Sequence, residues 1–295
     1  MSTVTIPSKI QITQTENASP ERIQHFYDEA TEDYTFWSKD FNMHFGYHIW
    51  GKTNPFKRDS MLNEMNGQIF NRLQLPKNQA LVADLGCGMG GTMRHFLKQK
   101  INLNIIGVTL SDFQAREGNK MLSGTNGIIL KEDFTKTTLP SNQMDGCVAI
   151  ESFCHTGHSY KTLQETFRLL KPGKRLVIAD ALLKTQPEEL CPGSSYSYKG
   201  LCKGWSLDGL GVIDQVEKNL LDIGFSKVTI EDVSMHVAPS VLHVPFAIPA
   251  FILKQLFTYK RIKPQSWNNL KASFYALVSG LHRKDFGYYI ITATK

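Results

Sequence analysis

The sequence predicts an α/β protein: a seven-stranded, mostly parallel sheet with helices on both faces. Two observations predict it. From residue 80 onward, short apolar runs alternate with amphipathic helical stretches, the pattern of consecutive strand–helix units. The first of those runs ends in a cluster of glycines that opens into a helical segment, a strand–loop–helix turn suited to a ligand at the carboxyl edge of a sheet. Composition agrees, since 41% of the 295 residues are hydrophobic and only 20% are charged, which favours a packed core over disorder.

Strands are expected over 80–84, 104–107, 127–130, 144–150, 175–180, 227–233 and 288–294, with helices near 91–99, 111–122, 159–170 and 212–223. Ahead of the sheet, Ser19-Pro20-Glu21 and Asn54-Pro55 read as helix starts. After the second, Leu62, Met65, Ile69 and Leu73 recur at helical spacing on one face. The Pro-Gly of residues 167–178, FRLLKPGKRLVI, separates a helix from the strand that follows it. One interval breaks the rhythm. Residues 234–285 form a long excursion holding the apolar, proline-broken stretch Val237–Leu253. The expected organisation is a helical cap over 1–75, a ligand-binding core over 76–233, a substrate-cover insertion over 234–285 and a last core strand over 286–295.

Net charge is +6, with Lys and Arg scattered rather than gathered in a stripe, which argues against a nucleic-acid groove. The five cysteines include no C-x-x-C pair, so a reducing, cytoplasmic setting is expected rather than a disulfide framework. The N-terminal residues are polar and contain no apolar signal core. Val237–Leu253 is too broken to span a bilayer, yet suits peripheral contact with lipid or the wall of an apolar pocket. The sequence is also compatible with a homo-oligomer.

Residues 81–91, LVADLGCGMGG, place Gly86, Gly88 and Gly90 after a strand that ends on Asp84. The spacing of Gly86, Gly88 and Gly91 also satisfies a dinucleotide fingerprint. A carboxylate at that strand end would repel a pyrophosphate and suits a ligand carrying an ammonium group. The string D-x-G-x-G-x-G resembles the sulfonium-cofactor signature of class I methyltransferases, and S-adenosyl-L-methionine is preferred on that basis. Past the next strand ends come Thr109, Leu110 and Gln114, placed for a ribose, then Asp133 and Phe134, placed for an adenine.

The fourth strand ends in VAIESFCHT, residues 148–156. If the chain turns helical there, Glu151 and His155 share one face beside the cofactor. The bland alternative makes Glu151 a cofactor or helix contact and His155 a packed side chain. A metal set drawn from Glu151, Cys154, His155 and His158 lacks a completing ligand, and no metal is expected.

A more specific resemblance covers residues 25–180. KEDFTKTTLPSNQMDGCVAIESFCHTGHSYKTLQETFRLLKPG looks like the matching stretch of sterol 24-C-methyltransferases, and FYDEATEDYTFWSKDFNMHF resembles that family's aromatic segment. Tocopherol-type and cyclopropane-synthase-type methyltransferases share a looser version of the layout. The resemblance implies a Rossmann-like fold that holds S-adenosyl-L-methionine with Tyr27, Asp84, Gly86, Gly88, Gly90, Thr109, Leu110, Gln114, Asp133, Phe134 and Glu151. It implies C-methylation of an apolar isoprenoid or related lipid, with Tyr34, Trp37, Phe45 and Trp205 in the acceptor pocket. Glu151, His155 and His44 then orient the acceptor or take its proton. Two alternatives stay open: O-, N- or aromatic C-methylation of a small metabolite, and a non-catalytic cofactor- or lipid-binding role.

Overall fold

The computed structural model describes residues 38–257 and 262–295. Helix α1 (Arg58–Leu73) starts three residues after Pro55 and buries Met61, Leu62, Met65, Ile69 and Leu73, the stripe its spacing predicts. Then follow β1 (Ala80–Leu85), α2 (Gly91–Gln99), β2 (Leu103–Thr109), α3 (Asp112–Met121), β3 (Gly127–Lys131) and β4 (Met144–Ile150). A 3₁₀ turn at Phe153–Thr156 leads to α4 (Tyr160–Leu169) and β5 (Leu170–Leu183). The remainder is α5 (Pro192–Trp205), α6 (Ile213–Ile223), β6 (Lys227–Asp232), α7 (Ser234–Val241), α8 (Val244–Phe257), α9 (Pro264–Leu281) and β7 (Phe286–Thr294).

The seven strands run in the order β3-β2-β1-β4-β5-β7-β6. All are parallel except β7, which lies antiparallel to both β5 and β6. Alternate residues feed two cores, one on each face. Val82, Ile105, Val148, Val177 and Ile290 meet α1 and α2 through Met65, Ile69, Met93 and Phe96. Ala83, Leu85, Cys147, Ala149, Ile178 and Ile291 meet α4 and α6 through Leu163, Leu169, Val216 and Leu220. Strand β4 is buried at every position, which is why Cys147–Ile150 reads as a continuous apolar run, while the buried Asp145 accepts from Leu81 N and Lys171 Nζ. The order reverses between β1 and β4. A crevice therefore opens at their carboxyl ends, where Asp84 and Glu151 lie.

Three features depart from the sequence expectation. Strand β5 reaches back to Leu170 through an irregular stretch, its register shifting between the Met144↔Leu170 and Gly146↔Arg175 pairs. Helix α5 is not expected from sequence, because its glycines and serines are poor helix formers. Packing compensates: a Cβ on Gly200 would stand 2.5 Å from the Tyr275 ring, and one on Gly204 2.6 Å from Ala272 Cβ. Those small residues let α9 approach closely, and Leu201 on α5 also packs with Leu183 of β5 and Phe286 of β7. The third difference is the chain after β4. Glu151 sits in the left-handed region at φ 48° and a 3₁₀ turn follows, so no α-helix carries Glu151 and His155.

Candidate active site

Residues 38–48 lie as a strap across the glycine loop. Asn66 Nδ2 donates to Asn42 Oδ1 at 3.1 Å, and Thr92 Oγ1 donates to Asn66 Oδ1 at 2.9 Å. Arg94 Nη2 reaches Asp40 O at 2.5 Å. At its far end the strap joins α7: Gly46 N donates to Ser240 Oγ at 2.8 Å, His48 N to His236 O at 2.7 Å, and Tyr47 stacks on His236.

Under the strap is a cavity of about 190 Å³, lined by Asp84, Gly86, Gly88, Thr109, Leu110, Gln114, Asp133, Phe134, Glu151, His155 and His44 among others. Gly86 is required twice over. Its φ is +91°, and a Cβ there would stand 2.3 Å from Ser152 Cβ. The Ser152 hydroxyl donates to Leu85 O at 2.6 Å and ties the end of β4 to the end of β1. Gln114 is fixed through its backbone N, which donates to Ser111 Oγ at 3.1 Å, and by Thr109 Oγ1, which donates to Gln114 Oε1 at 2.7 Å. Asp133 Oδ1 accepts from Thr135 N at 2.8 Å, and Phe134 packs on Phe153 at 5.4 Å between centroids.

Asp84 is 3% exposed, and its Oδ2 is buried with no hydrogen-bond partner. Burial pushes its carboxyl up to about 7. A buried carboxylate without a counter-charge is costly, so this site favours a cation. An ammonium-bearing ligand over a glycine loop fits these residues, and S-adenosyl-L-methionine carries that group. Gly90 stands in a different setting from Gly86 and Gly88. It caps α2 at φ +74°, and a Cβ there would point at Ile129 Cδ1 and Met93 Sδ. It shapes the loop from the core side and does not line the cavity.

A second, larger cavity of about 540 Å³ is mostly apolar and lies beneath α7 and α9. Phe45 and Trp205 line it, and Trp205 Nε1 is held by Asn269 Oδ1 at 2.8 Å. The two cavities share Asn42, Met43, His44, Glu151 and His155. Glu151 Oε1 accepts from Phe45 N and from Tyr288 OH, both at 2.7 Å. Burial outweighs those two hydrogen bonds and pushes its carboxyl up to about 8. His44 Nδ1 donates to Phe45 O at 2.9 Å; burial takes its imidazole down to about 4. Burial likewise lowers His155. Both imidazoles are therefore neutral at neutral pH.

Tyr27, Tyr34 and Trp37 lie outside the described residues. Among the described residues no group of three His, Cys, Asp or Glu is placed to hold a metal ion. Sequence reasoning missed Tyr288, Asn42 and Met43. Tyr288 reads as one more apolar residue of a buried strand. Asn42 and Met43 have no motif spacing, and only their position over the loop makes them part of the site.

Comparison with known proteins bears on this arrangement. Residues 83–178 match the model of a methyltransferase domain family. The chain is 27% identical over 225 residues to 24-methylenesterol C-methyltransferase 2 of Arabidopsis thaliana, an overlap of 73% of this chain and 59% of that protein. It thus spans about three fifths of the length of that curated relative. It is 26% identical over 232 residues to the S-adenosyl-L-methionine-dependent Diels-Alderase iccD of Talaromyces variabilis, covering 72% of this chain and 76% of that one. In three dimensions it superposes on the cyclopropane synthase MmaA2 from Mycobacterium tuberculosis with a TM-score of 0.79. That match has 18% identity and covers 94% and 98% of the two proteins. At such identity the likeness is one of fold.

Proposed function

We propose, from the premise that residues 83–178 form a class I, S-adenosyl-L-methionine-dependent methyltransferase domain, that this protein methylates an olefinic carbon of an apolar isoprenoid or related lipid. One observation carries the reading: a polar, glycine-floored cavity and a large apolar cavity meet at Glu151, His155 and His44. The sterol relative, by name, methylates carbon, which supports the same reading.

Bound S-adenosyl-L-methionine supplies an electrophilic methyl group on a positively charged sulfur. Asp84 would hold its ammonium group, Thr109 and Gln114 its ribose, and Asp133 and Phe134 its adenine. The strap and the cover exclude water. Methyl transfer to the acceptor's double bond would form a carbon–carbon bond as the sulfur–methyl bond breaks, leaving the neutral thioether S-adenosyl-L-homocysteine and a cation on the neighbouring acceptor carbon, which must then lose a proton. Glu151 is mostly protonated in the free protein at neutral pH, given its carboxyl at about 8. Positive charge arriving at the junction favours its ionised form, so Glu151 serves to stabilise the cation. His155 and His44 enter neutral and are competent to take the proton. Most of the acceleration comes from positioning, with proton transfer adding about 10²–10⁴-fold.

The test is turnover against cofactor affinity. Glu151→Gln and His155→Ala should each lower kcat by about 10²-fold or more while S-adenosyl-L-methionine binds with near-normal affinity. Full turnover in both variants would overturn these roles. A second reading has one observation behind it, the match to a protein named as a Diels-Alderase across most of both sequences. In that reading the cofactor is bound but not consumed, and the apolar cavity folds a polyene for cyclisation.

A further inference from the structure

Helices α7, α8 and α9 leave an apolar face uncovered. Phe246 is 79% exposed, Phe257 81%, Leu256 65% and Leu253 53%. These four residues do not line the second cavity. The opposite side of the same helices is buried on the protein through Val237, Ser240, Val244, Ala247 and Phe251. Ser234–Phe257 is long and apolar enough, by length and composition, to cross a membrane. Its buried side and the hydrogen bonds His236 Nδ1 to His48 O and His243 Nε2 to Pro55 O, 2.8 and 2.5 Å, keep it against the fold instead.

Charge is distributed unevenly over the same region. Residues 233–284 contain seven Lys and Arg (Lys254, Lys260, Arg261, Lys263, Lys271, Arg283 and Lys284) and no Asp or Glu. That leaves 26 of the protein's 33 Lys and Arg to face its 27 acids. The net positive charge of the whole sequence therefore resides in the cover. Three residues link the surface to the interior. Met235, Leu242 and Leu281 are each more than half exposed and also line the second cavity, so each presents apolar surface both to the exterior and to the chamber.

We propose that helices α7, α8 and α9 dock on an anionic lipid bilayer, with the exposed side of α8 lying in the interface, and that an apolar acceptor enters from the bilayer between Met235, Leu242 and Leu281. An apolar helical face in a segment that carries seven Lys and Arg and no acid is the chemistry that binds such a surface. The docking stands on exposure and charge alone. Only the entry of an acceptor rests on the methyl-transfer reading.

The experiment is flotation of the purified full-length protein with phosphatidylcholine vesicles, with and without about 30% phosphatidylglycerol, at low salt and at about 0.5 M salt. Binding should be about tenfold or more stronger on the anionic vesicles and should fall at high salt. The Phe246→Ser/Phe257→Ser variant should lose about tenfold or more of that binding, while keeping its melting temperature and its affinity for S-adenosyl-L-methionine. Absence of flotation with anionic vesicles, or flotation that the double variant leaves unchanged, would overturn the proposal. So would a dimer of the wild-type protein that the double variant dissociates, because the face would then belong to a second copy. None of these readouts involves methyl transfer, so failure of docking is distinguishable from failure of the proposed reaction.

Discussion

Replacing Asp84 by Asn should stabilise the ligand-free protein and weaken its hold on the cofactor. The Asp84 carboxyl is buried, its Oδ2 has no partner, and burial raises it from 3.8 to about 7. Holding it ionised in the fold therefore costs about 4 kcal/mol. The sign follows from linkage. A carboxyl raised on folding takes up a proton, so its adverse contribution is absent below pH 3.8. It grows as the pH rises and is complete above about 7. The Asp84→Asn side chain would carry no such charge, though its amide also lacks a full set of partners, which trims the gain to about 2–3 kcal/mol at pH 8. For a protein of this size that corresponds to roughly 3–5 °C in Tm at pH 8, shrinking towards zero near pH 4. The bound ammonium group would lose a charge-assisted partner worth about 1.5–3 kcal/mol, a loss of about 10–100-fold in affinity. Thermal unfolding from pH 4 to 8, with and without S-adenosyl-L-methionine, reads both effects. The variant should show the higher Tm without ligand and the smaller shift with it. An unchanged Tm at pH 8 together with an unchanged ligand shift would refute the assignment of Asp84 as the ammonium partner.

Three further outcomes follow from the same geometry. Gly86→Ala combines a left-handed backbone with a Cβ 2.3 Å from Ser152 Cβ, and should destabilise the fold by about 2 kcal/mol or more, measured by denaturant unfolding. Trp205→Phe removes the hydrogen bond to Asn269 Oδ1 and loosens the acceptor chamber; steady-state kinetics should show KM for the acceptor rising several-fold with cofactor affinity unchanged. A pH profile of kcat/KM should rise as Glu151 ionises, through about 8 in the free protein, and the rising limb attributable to it should vanish in Glu151→Gln.

The sheet was legible because its signals are local. Each strand is a short apolar run, and β4 is apolar at nearly every position because both its faces are covered. The glycine loop announced itself through positions that only a residue without a side chain tolerates, Gly86 above all. Gly90 carries the same letter for a different reason, since its missing Cβ clears Ile129 and Met93, and spacing alone does not separate the two cases. Helix α5 was hidden because its stability comes from α9 pressing on Gly200 and Gly204, a contact between segments some seventy residues apart in sequence. Glu151 and His155 stand out in the sequence by position alone, and their geometry depends on a left-handed residue and a short 3₁₀ turn that no propensity predicts. Tyr288 was illegible for a related cause: its hydroxyl matters only because antiparallel β7 carries it to Glu151.

Mass spectrometry of the products formed with methyl-deuterated S-adenosyl-L-methionine, offered against isoprenyl diphosphates, squalene, sterols, phenols and amines, tests the central claim most directly. The account predicts a labelled methyl group on a carbon of an apolar isoprenoid. Label found only on oxygen or nitrogen of a small metabolite, or a cyclised product carrying no label, would contradict it.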